Sequence, residues 1–367
     1  LTTLGAAEVK GTEGGVGFSG DRLLCWRVNL ESRVASRVLW QVAVAPYRSD
    51  ADVYAAARAV RWTAWFDVSR TLRVGVAAIK SPVKSLDFVT LRIKDAICDA
   101  FREASGGRPD VDTHAPDVRI HAFLTARDIA LYIDTSGEPL FKRGYRKEGG
   151  SAPLRENLAA GILRLAQWTP DRPLLDPMCG SGTFLCEAAM IALDMAPGLN
   201  RRFGFEKLAG HDATAWQALR DEARGRIATS AMPALYGSDR YGDVLKLARV
   251  NLAALGVAHL VQLKQANVLE VPAPAASGVL VTNPPYGVRL SEQEEMAALY
   301  PLLGNALKKK FSGWTAYILS ADMRLPKLIG LKATRRTPLF NGALECRLFE
   351  YRLVAGTMRR NSEHAPR

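Results

Sequence analysis

Apolar residues recur with two different periods along this chain, and the change falls near residue 150. Before it, Thr71–Ile79 alternates Leu72, Val74, Val76 and Ala78, the period of a half-buried strand. Val118–Leu124 and Ile129–Ile133 alternate likewise across a short polar turn, which predicts a hairpin. Val53–Val60 and Leu86–Phe101 carry apolar residues at helical spacing, the second through Ile93, Ile97 and Phe101. The first 50 residues open with a glycine-rich stretch, Gly11 to Gly20. Leu23, Leu24, Val28, Val34 and Val38 then predict one helix-like segment. After residue 150 short apolar runs recur at Leu174–Leu175, Ala234–Tyr236, Leu260–Leu263, Gly278–Val281 and Trp314–Leu319. Helical segments separate them at Thr183–Met195, Tyr241–Leu255 and Glu292–Lys309, and Pro301 should kink or restart the last. Such βα alternation predicts an α/β unit with a doubly wound, mostly parallel sheet. Arg335–Leu339 and Leu344–Leu353 lack a helix between them and predict a closing antiparallel hairpin. The segment Ala196–Met232, with Trp216, reads as an insertion, and the tail from Ala355 as a polar, frayed end.

Composition adds bounds. A chain of 367 residues that is 48% hydrophobic can build two or three domains with sizeable cores. No apolar run approaches the roughly 18–20 residues that span a bilayer, and no signal segment opens the chain. It begins at Leu1 rather than Met, so the natural N-terminus is expected to lie further upstream. Five cysteines without a C-x-x-C pair point to a reducing compartment, hence the cytoplasm, and five scattered histidines predict no metal site. The net charge of +12 favours a polyanionic partner. Roughly +4 of it lies before residue 150 and roughly +8 after, so no single basic tail carries it.

Three motifs carry chemistry. In Leu174-Leu175-Asp176-Pro177-Met178-Cys179-Gly180-Ser181-Gly182-Thr183 a buried strand ends in an acid, and a glycine turn leads into a helix. Ligands of doubly wound sheets bind at such carboxyl ends, and the acid suits a cationic ligand such as an ammonium or sulfonium. A tight turn with a capping acid is the plainer alternative. No Gly-Lys-Ser/Thr follows, which excludes a P-loop. Tyr236-Gly237-Ser238-Asp239 ends another strand, and Asp239 suits either a ribose or a helix N-cap. Asn283-Pro284-Pro285-Tyr286 is the sharpest signal. Its prolines stop the strand and fix a rigid turn. The Asn283 side-chain oxygen and the Pro284 carbonyl are then two acceptors for a flat –NH2 group, and Tyr286 offers an aromatic face.

With these motifs in place, the chain resembles class I methyltransferases, and within them the THUMP-domain guanine-N2 methyltransferases acting on bacterial 23S ribosomal RNA. The likeness runs through Val111-Asp112, Ala115–Arg119, Lys142–Arg146, Ala152–Ala160, Gly287-x-Arg289-Leu290 and Asn341-Gly342-x-Leu344-Glu345-Cys346. It implies a truncated ferredoxin-like piece at 1–50, a THUMP domain at 51–145, a class I methyltransferase domain at 146–354 and a tail at 355–367. S-adenosylmethionine is the implied cofactor, held by Asp176, Pro177, Met178, Cys179, Gly180, Gly182 and Thr183, with Asp239 on the ribose. Asn283, Pro284, Pro285 and Tyr286 would hold the target guanine. Asn267 stands where the family usually has an acid against the adenine amine. Lys84, Arg143, Tyr145, Arg146 and Arg289 are candidate RNA contacts. The N7-methyltransferase unit fused after this one in some relatives is not part of the sequence. Rival readings are a tRNA guanine-N2 methyltransferase, a protein glutamine N5-methyltransferase and a non-catalytic RNA-binding assembly factor. The basic charge and the long front region disfavour the glutamine enzyme, and the intact Asn283–Tyr286 motif disfavours the assembly factor. A DNA amino-methyltransferase would need a target-recognition domain that is not evident.

Overall fold

A computed structural model describes residues 1–12, 14–146, 154–285 and 290–354, without the side chains of 290–293. Tyr286 and Arg289 lie outside the described residues. Packing divides the chain into two compact units: Leu1–Gly144 with Ala196–Arg226, and Tyr145–Met195 with Ile227–Arg367.

The first unit opens with a hairpin of β1 (Ala7–Thr12) and β2 (Gly15–Ser19), which turns through Gly14 at φ +82°. Helix α1 (Arg22–Glu31) follows, capped by the Asp21 carboxylate on the Leu24 N–H. The chain continues through β3 (Leu39–Pro46), α2 (Asp50–Arg58), β4 (Leu72–Ala78), α3 (Leu86–Ser105), β5 (Val118–Leu124) and β6 (Asp128–Asp134). A reciprocal capping box between Ser49 and Asp52 starts α2. The four strands form one sheet in the order β3-β6-β5-β4, with only β4 and β5 parallel. Helices α2 and α3 bury Val53, Ala57, Ile93, Ile97 and Phe101 against Leu72, Ile120 and Leu131 of the sheet. The expected single helix-like segment up to Val38 is corrected here. It ends at Glu31, and the glycine-rich start is a hairpin. Strand β3 escapes a pattern search for a physical reason. It lies at the sheet edge with one face exposed and the other half-buried, and a register shift between Gln41 and Ala43 breaks the alternation at Val42 and Ala43.

The second unit begins with α4 (Glu156–Leu165), β7 (Leu174–Asp176) and α5 (Thr183–Ala192). The insertion that follows carries α6 (Ala213–Gly225) and belongs by packing to the first unit. Arg201 explains part of this, because its guanidinium donates to the carbonyls of Ser136, Pro139, Glu138 and Lys142 at 2.6–3.1 Å. The second unit resumes with β8 (Leu235–Asp239), α7 (Gly242–Ala254), β9 (Val261–Gln265), β10 (Gly278–Thr282), α8 (Leu290–Lys310), β11 (Trp314–Ser320), α9 (Leu325–Leu328), β12 (Arg335–Asn341) and β13 (Leu344–Arg352). Its seven strands lie in the order β12-β13-β11-β10-β7-β8-β9. The five strands from β11 to β9 are parallel, and β13 returns antiparallel to both β11 and β12.

Alternation places the two faces of this sheet in separate cores. Leu174, Val279, Val281, Leu319 and Leu348 pack on the side of α4, α5 and α7. Leu175, Leu280, Ile318, Phe349 and Tyr351 pack on the side of α8 and α9. Helix α8 runs on through Pro301 rather than restarting there. The missing N–H forfeits one helical bond, and burial of Tyr300, Leu303 and Leu307 on either side holds the helix in place.

Trp314, 1% exposed, fills the second core and donates its indole N–H to the Ala275 carbonyl at 2.9 Å. Trp314→Ala is expected to remove about 3–5 kcal/mol of stability. Urea unfolding checks this; a loss under about 1 kcal/mol would contradict the packing described.

Candidate active site

Strand order reverses at β7, which pairs with β8 on one side and β10 on the other. A crevice opens at such a switch point beyond the carboxyl ends of the strands. The parallel register Leu174↔Val279 and Leu175↔Leu280 sets the end of β7, Asp176, level with the end of β10, Val281-Thr282. Asn283 and Pro284 follow at once, Asn283 half-buried, Pro284 buried and Pro285 exposed. The two strongest motifs of the sequence therefore meet on adjacent strands.

Asp176 is 2% exposed. Burial pushes its carboxyl up to about 8. The neighbouring Thr282 hydroxyl and the Met178 N–H oppose the rise, and the negative charge of Asp239 adds to it. Asp239, at the end of β8, accepts the Gly180 N–H at 3.0 Å and the Tyr241 N–H at 3.1 Å. Its carboxylate thus braces the glycine loop and the start of α7 together. The loop is further tied by Cys179 N–H to the Ser238 carbonyl at 2.9 Å, and by the Asn251 amide to the Ser181 carbonyl at 2.9 Å. Gly180 has φ +54°, and a Cβ there would meet open space. Gly182 has φ +80° and lies close against Ala248 of α7. Both backbones need glycine, and the opening above Gly180 leaves the loop free to approach a ligand.

Asn267 lies two residues past β9 and is exposed. Its side-chain oxygen accepts the Leu269 N–H at 3.0 Å, which leaves a second lone pair for a donor. Thr183 starts α5 and accepts a hydrogen bond from Arg146 at 2.7 Å. Arg146 also pairs with Glu156 of α4 at 2.9 Å, a largely buried ion pair. Cys179 is buried, and burial raises its thiol well above the usual range, which suits packing rather than nucleophilic attack.

The candidate RNA contacts divide. Lys84 is exposed ahead of α3. Arg143, 2% exposed, donates to the carbonyls of Leu140, Arg33 and Ser32. Tyr145 is a core residue with its hydroxyl against Cys186. The guanidinium of Arg146 serves Glu156 and Thr183. In this structure these three groups meet partners within the fold. Thr282, Asn251 and Glu156 went unnoticed as site residues in the sequence. The available signal was a polar residue on an otherwise apolar face: Asn251 lies beside Ala248 and Leu252, and Thr282 ends an apolar strand.

The arrangement suits a positively charged ligand. Asp176 and Asp239 are both buried at the ends of adjacent strands and repel each other, and a positive group there would offset that repulsion. Among the described residues no cluster of His, Cys, Asp and Glu could hold a metal ion, and no helix is long and apolar enough to cross a membrane. Residues 143–350 match the sequence profile of the RMKL-like methyltransferase domain. The chain belongs to this methyltransferase family. Ahead of its RMKL-like domain, residues 47–134 match the THUMP domain and residues 1–39 the RlmL ferredoxin-like domain. The seven-stranded sheet is accordingly that of class I methyltransferases. The RMKL-like chain is 40% identical to the ribosomal RNA large subunit methyltransferase K/L of Aeromonas hydrophila, matched over 100% of this chain and 54% of that protein. It thus spans about half the length of such relatives. It is 37% identical to "Putative RNA methyltransferase slr0064" of Synechocystis, over 96% of this chain and 92% of that protein. Among solved structures, SMU.472, described as a "putative methyltransferase complexed with SAH", superposes with a TM-score of 0.86 at 31% identity, covering 97% of this chain and 94% of that one.

Asp176 gives a pH test. The unfolded carboxyl titrates near 4, while the folded one, without ligand, holds its proton to about 8. The folded state thus binds more protons across that window, and its stability falls as pH rises through it. Asp176→Asn removes this penalty. Thermal melts without ligand should show the variant gaining more over the parent at pH 8.5 than at pH 5. An equal gain at both would contradict the buried, protonated carboxyl.

Proposed function

We propose that this chain transfers a methyl group from S-adenosylmethionine to the exocyclic N2 amine of a guanine in 23S ribosomal RNA. The observation that carries the reading is the level placement of Asp176 and Asn283-Pro284 at the ends of two paired strands. The cofactor supplies an electrophilic methyl on a cationic sulfur. Asp176 supports its cationic methionine end, the Gly180–Gly182 backbone approaches it, Asp239 takes the ribose and Asn267 the adenine edge.

An aromatic amine is a poor nucleophile because its lone pair is delocalised into the ring. The Asn283 side-chain oxygen and the Pro284 carbonyl accept its two N–H groups and hold the nitrogen facing the methyl donor. Orientation of this kind replaces a strong base, and the surplus proton on the methylated nitrogen passes to solvent water. Pro284 and Pro285 keep both acceptors from moving, since proline fixes its own φ. The target base must leave its stack to enter the crevice, at a cost of a few kcal/mol. The RNA assignment draws support from the THUMP match, the net charge of +12 and the names of the Aeromonas and Synechocystis relatives. A substrate of this kind places the enzyme in the cytoplasm.

Tritiated-methyl transfer to naked 23S RNA, followed by nucleoside digestion, tests the proposal. The labelled product should be N2-methylguanosine; label in another nucleoside, or in tRNA alone, would contradict it. Asn283→Ala should cut turnover by roughly 10²–10³ while affinity for S-adenosylhomocysteine stays within about twofold. Collapse of cofactor affinity would show that Asn283 does not act on the base. Naked 23S RNA should be methylated faster than mature large subunits, because extruding the base is cheaper there. Equal rates would count against base extrusion as described.

A further inference from the structure

The carboxyl edge of the seven-stranded sheet carries exposed groups that the transfer chemistry does not use. Strand β11 ends at Ser320, and the turn after it presents Met323, 46% exposed. Next to β11, the β12–β13 hairpin projects further. Ser320 pairs with Arg347, so the tip at Asn341–Leu344 extends beyond the end of β11. Phe340, beside the tip, leaves 62% of its surface to solvent. Antiparallel partners share a face. The pairs Arg336↔Phe349, Pro338↔Arg347 and Phe340↔Glu345 therefore put Arg336, Phe340 and Arg347 on the α8 side of the hairpin. Arg347 pairs with Glu345 at 2.6 Å, which offsets the charge of that carboxylate.

Protection of a sheet edge explains part of this composition. Proline and arginine on an outer strand discourage pairing with another chain, and Pro338, Arg335 and Arg336 all sit on β12. The exposed phenylalanine beside the tip is not needed for that and offers an aromatic face to a partner. The location names one. Strands lie about 4.8 Å apart, so β13 and β12 stand about 10 and 14 Å from β10, which leads into Asn283. Stacked nucleotides rise about 3.4 Å each. The strip thus begins at the target crevice and spans three or four nucleotides. An aromatic ring flanked by arginines is the chemistry that holds single-stranded nucleic acid without reading its sequence.

We propose that Met323, Arg336, Phe340 and Arg347 form a docking strip for the single-stranded RNA flanking the target base, with a flanking base stacked on Phe340. This rests on the RNA reading above. Single-stranded docking of this kind steadies the nucleotides on one side of the target while the target itself turns into the crevice.

The test is steady-state methyl transfer to naked 23S RNA by the whole chain and its Phe340→Ala, Phe340→Trp and Arg336→Gln forms. Phe340→Ala should raise the KM for RNA by about five- to thirty-fold, with kcat, melting temperature and affinity for S-adenosylhomocysteine little changed. Phe340→Trp should restore the parental KM, and Arg336→Gln should raise KM more at low salt than at high salt. A KM within twofold of the parent for Phe340→Ala, or a fall in kcat alone, overturns the strip. A defect confined to RNA within assembly particles would mean that the hairpin docks a protein, and also overturns it. Failure of the unaltered chain to methylate any RNA would instead sink the RNA reading, so the two failures are distinguishable.

Discussion

The register between β7 and β10 is the constraint on which the site depends. Two parallel strands paired at Leu174↔Val279 and Leu175↔Leu280 bring an acid and an Asn-Pro turn to one level at the point where strand order reverses. Register has no slack here, because both strands are buried on both faces. Slipping by one residue would exchange the faces of Val279, Leu280 and Val281 between the two cores. The packing that stabilises the sheet is therefore also what brings Asp176 and Asn283 to neighbouring strand ends.

That crevice is costly in the absence of a ligand. A buried carboxyl at Asp176, raised to about 8 and facing Asp239, is a destabilising arrangement that packing elsewhere must offset. The surroundings hold it in place. Asp239 and Asn251 brace the glycine loop, and Arg146 ties the first residue of α5 to Glu156 of α4. A cation entering the crevice relieves the cost, so ligand binding and stability are coupled at this point. The loop can follow a tight path only because Gly180 and Gly182 take positive φ.

Much of this was legible in the residues. The strands at 174, 235, 261, 278 and 314 show as short apolar runs between helical stripes, and the closing hairpin shows as two runs with no helix between. The motif residues sit at strand ends because acids, glycines and prolines end strands. Other features were hidden for equally physical reasons. Strand β3 has no clean alternation because a register shift between Gln41 and Ala43 interrupts it and apolar residues such as Leu39 and Val44 lie on its exposed face. Arg143 and Tyr145 look like surface groups in a list of residues, yet carbonyls and core side chains from distant segments enclose them. The return of Ala196–Arg226 to the first unit rests in part on Arg201 meeting four carbonyls between Ser136 and Lys142, a long-range match that periodicity does not encode. Pro301 signals a break that burial of Tyr300 and Leu303 overrides.

The proposed reaction is methylation of the N2 amine of one guanine in 23S ribosomal RNA. Mass spectrometry of 23S RNA fragments from a strain lacking the chain, beside the parent and a complemented strain, tests it most directly. A single N2-methylguanine should disappear from one fragment and return on complementation with the parental chain but not with Asn283→Ala. An unchanged N2-methylguanine complement, or the loss of a different modified nucleoside, would contradict it.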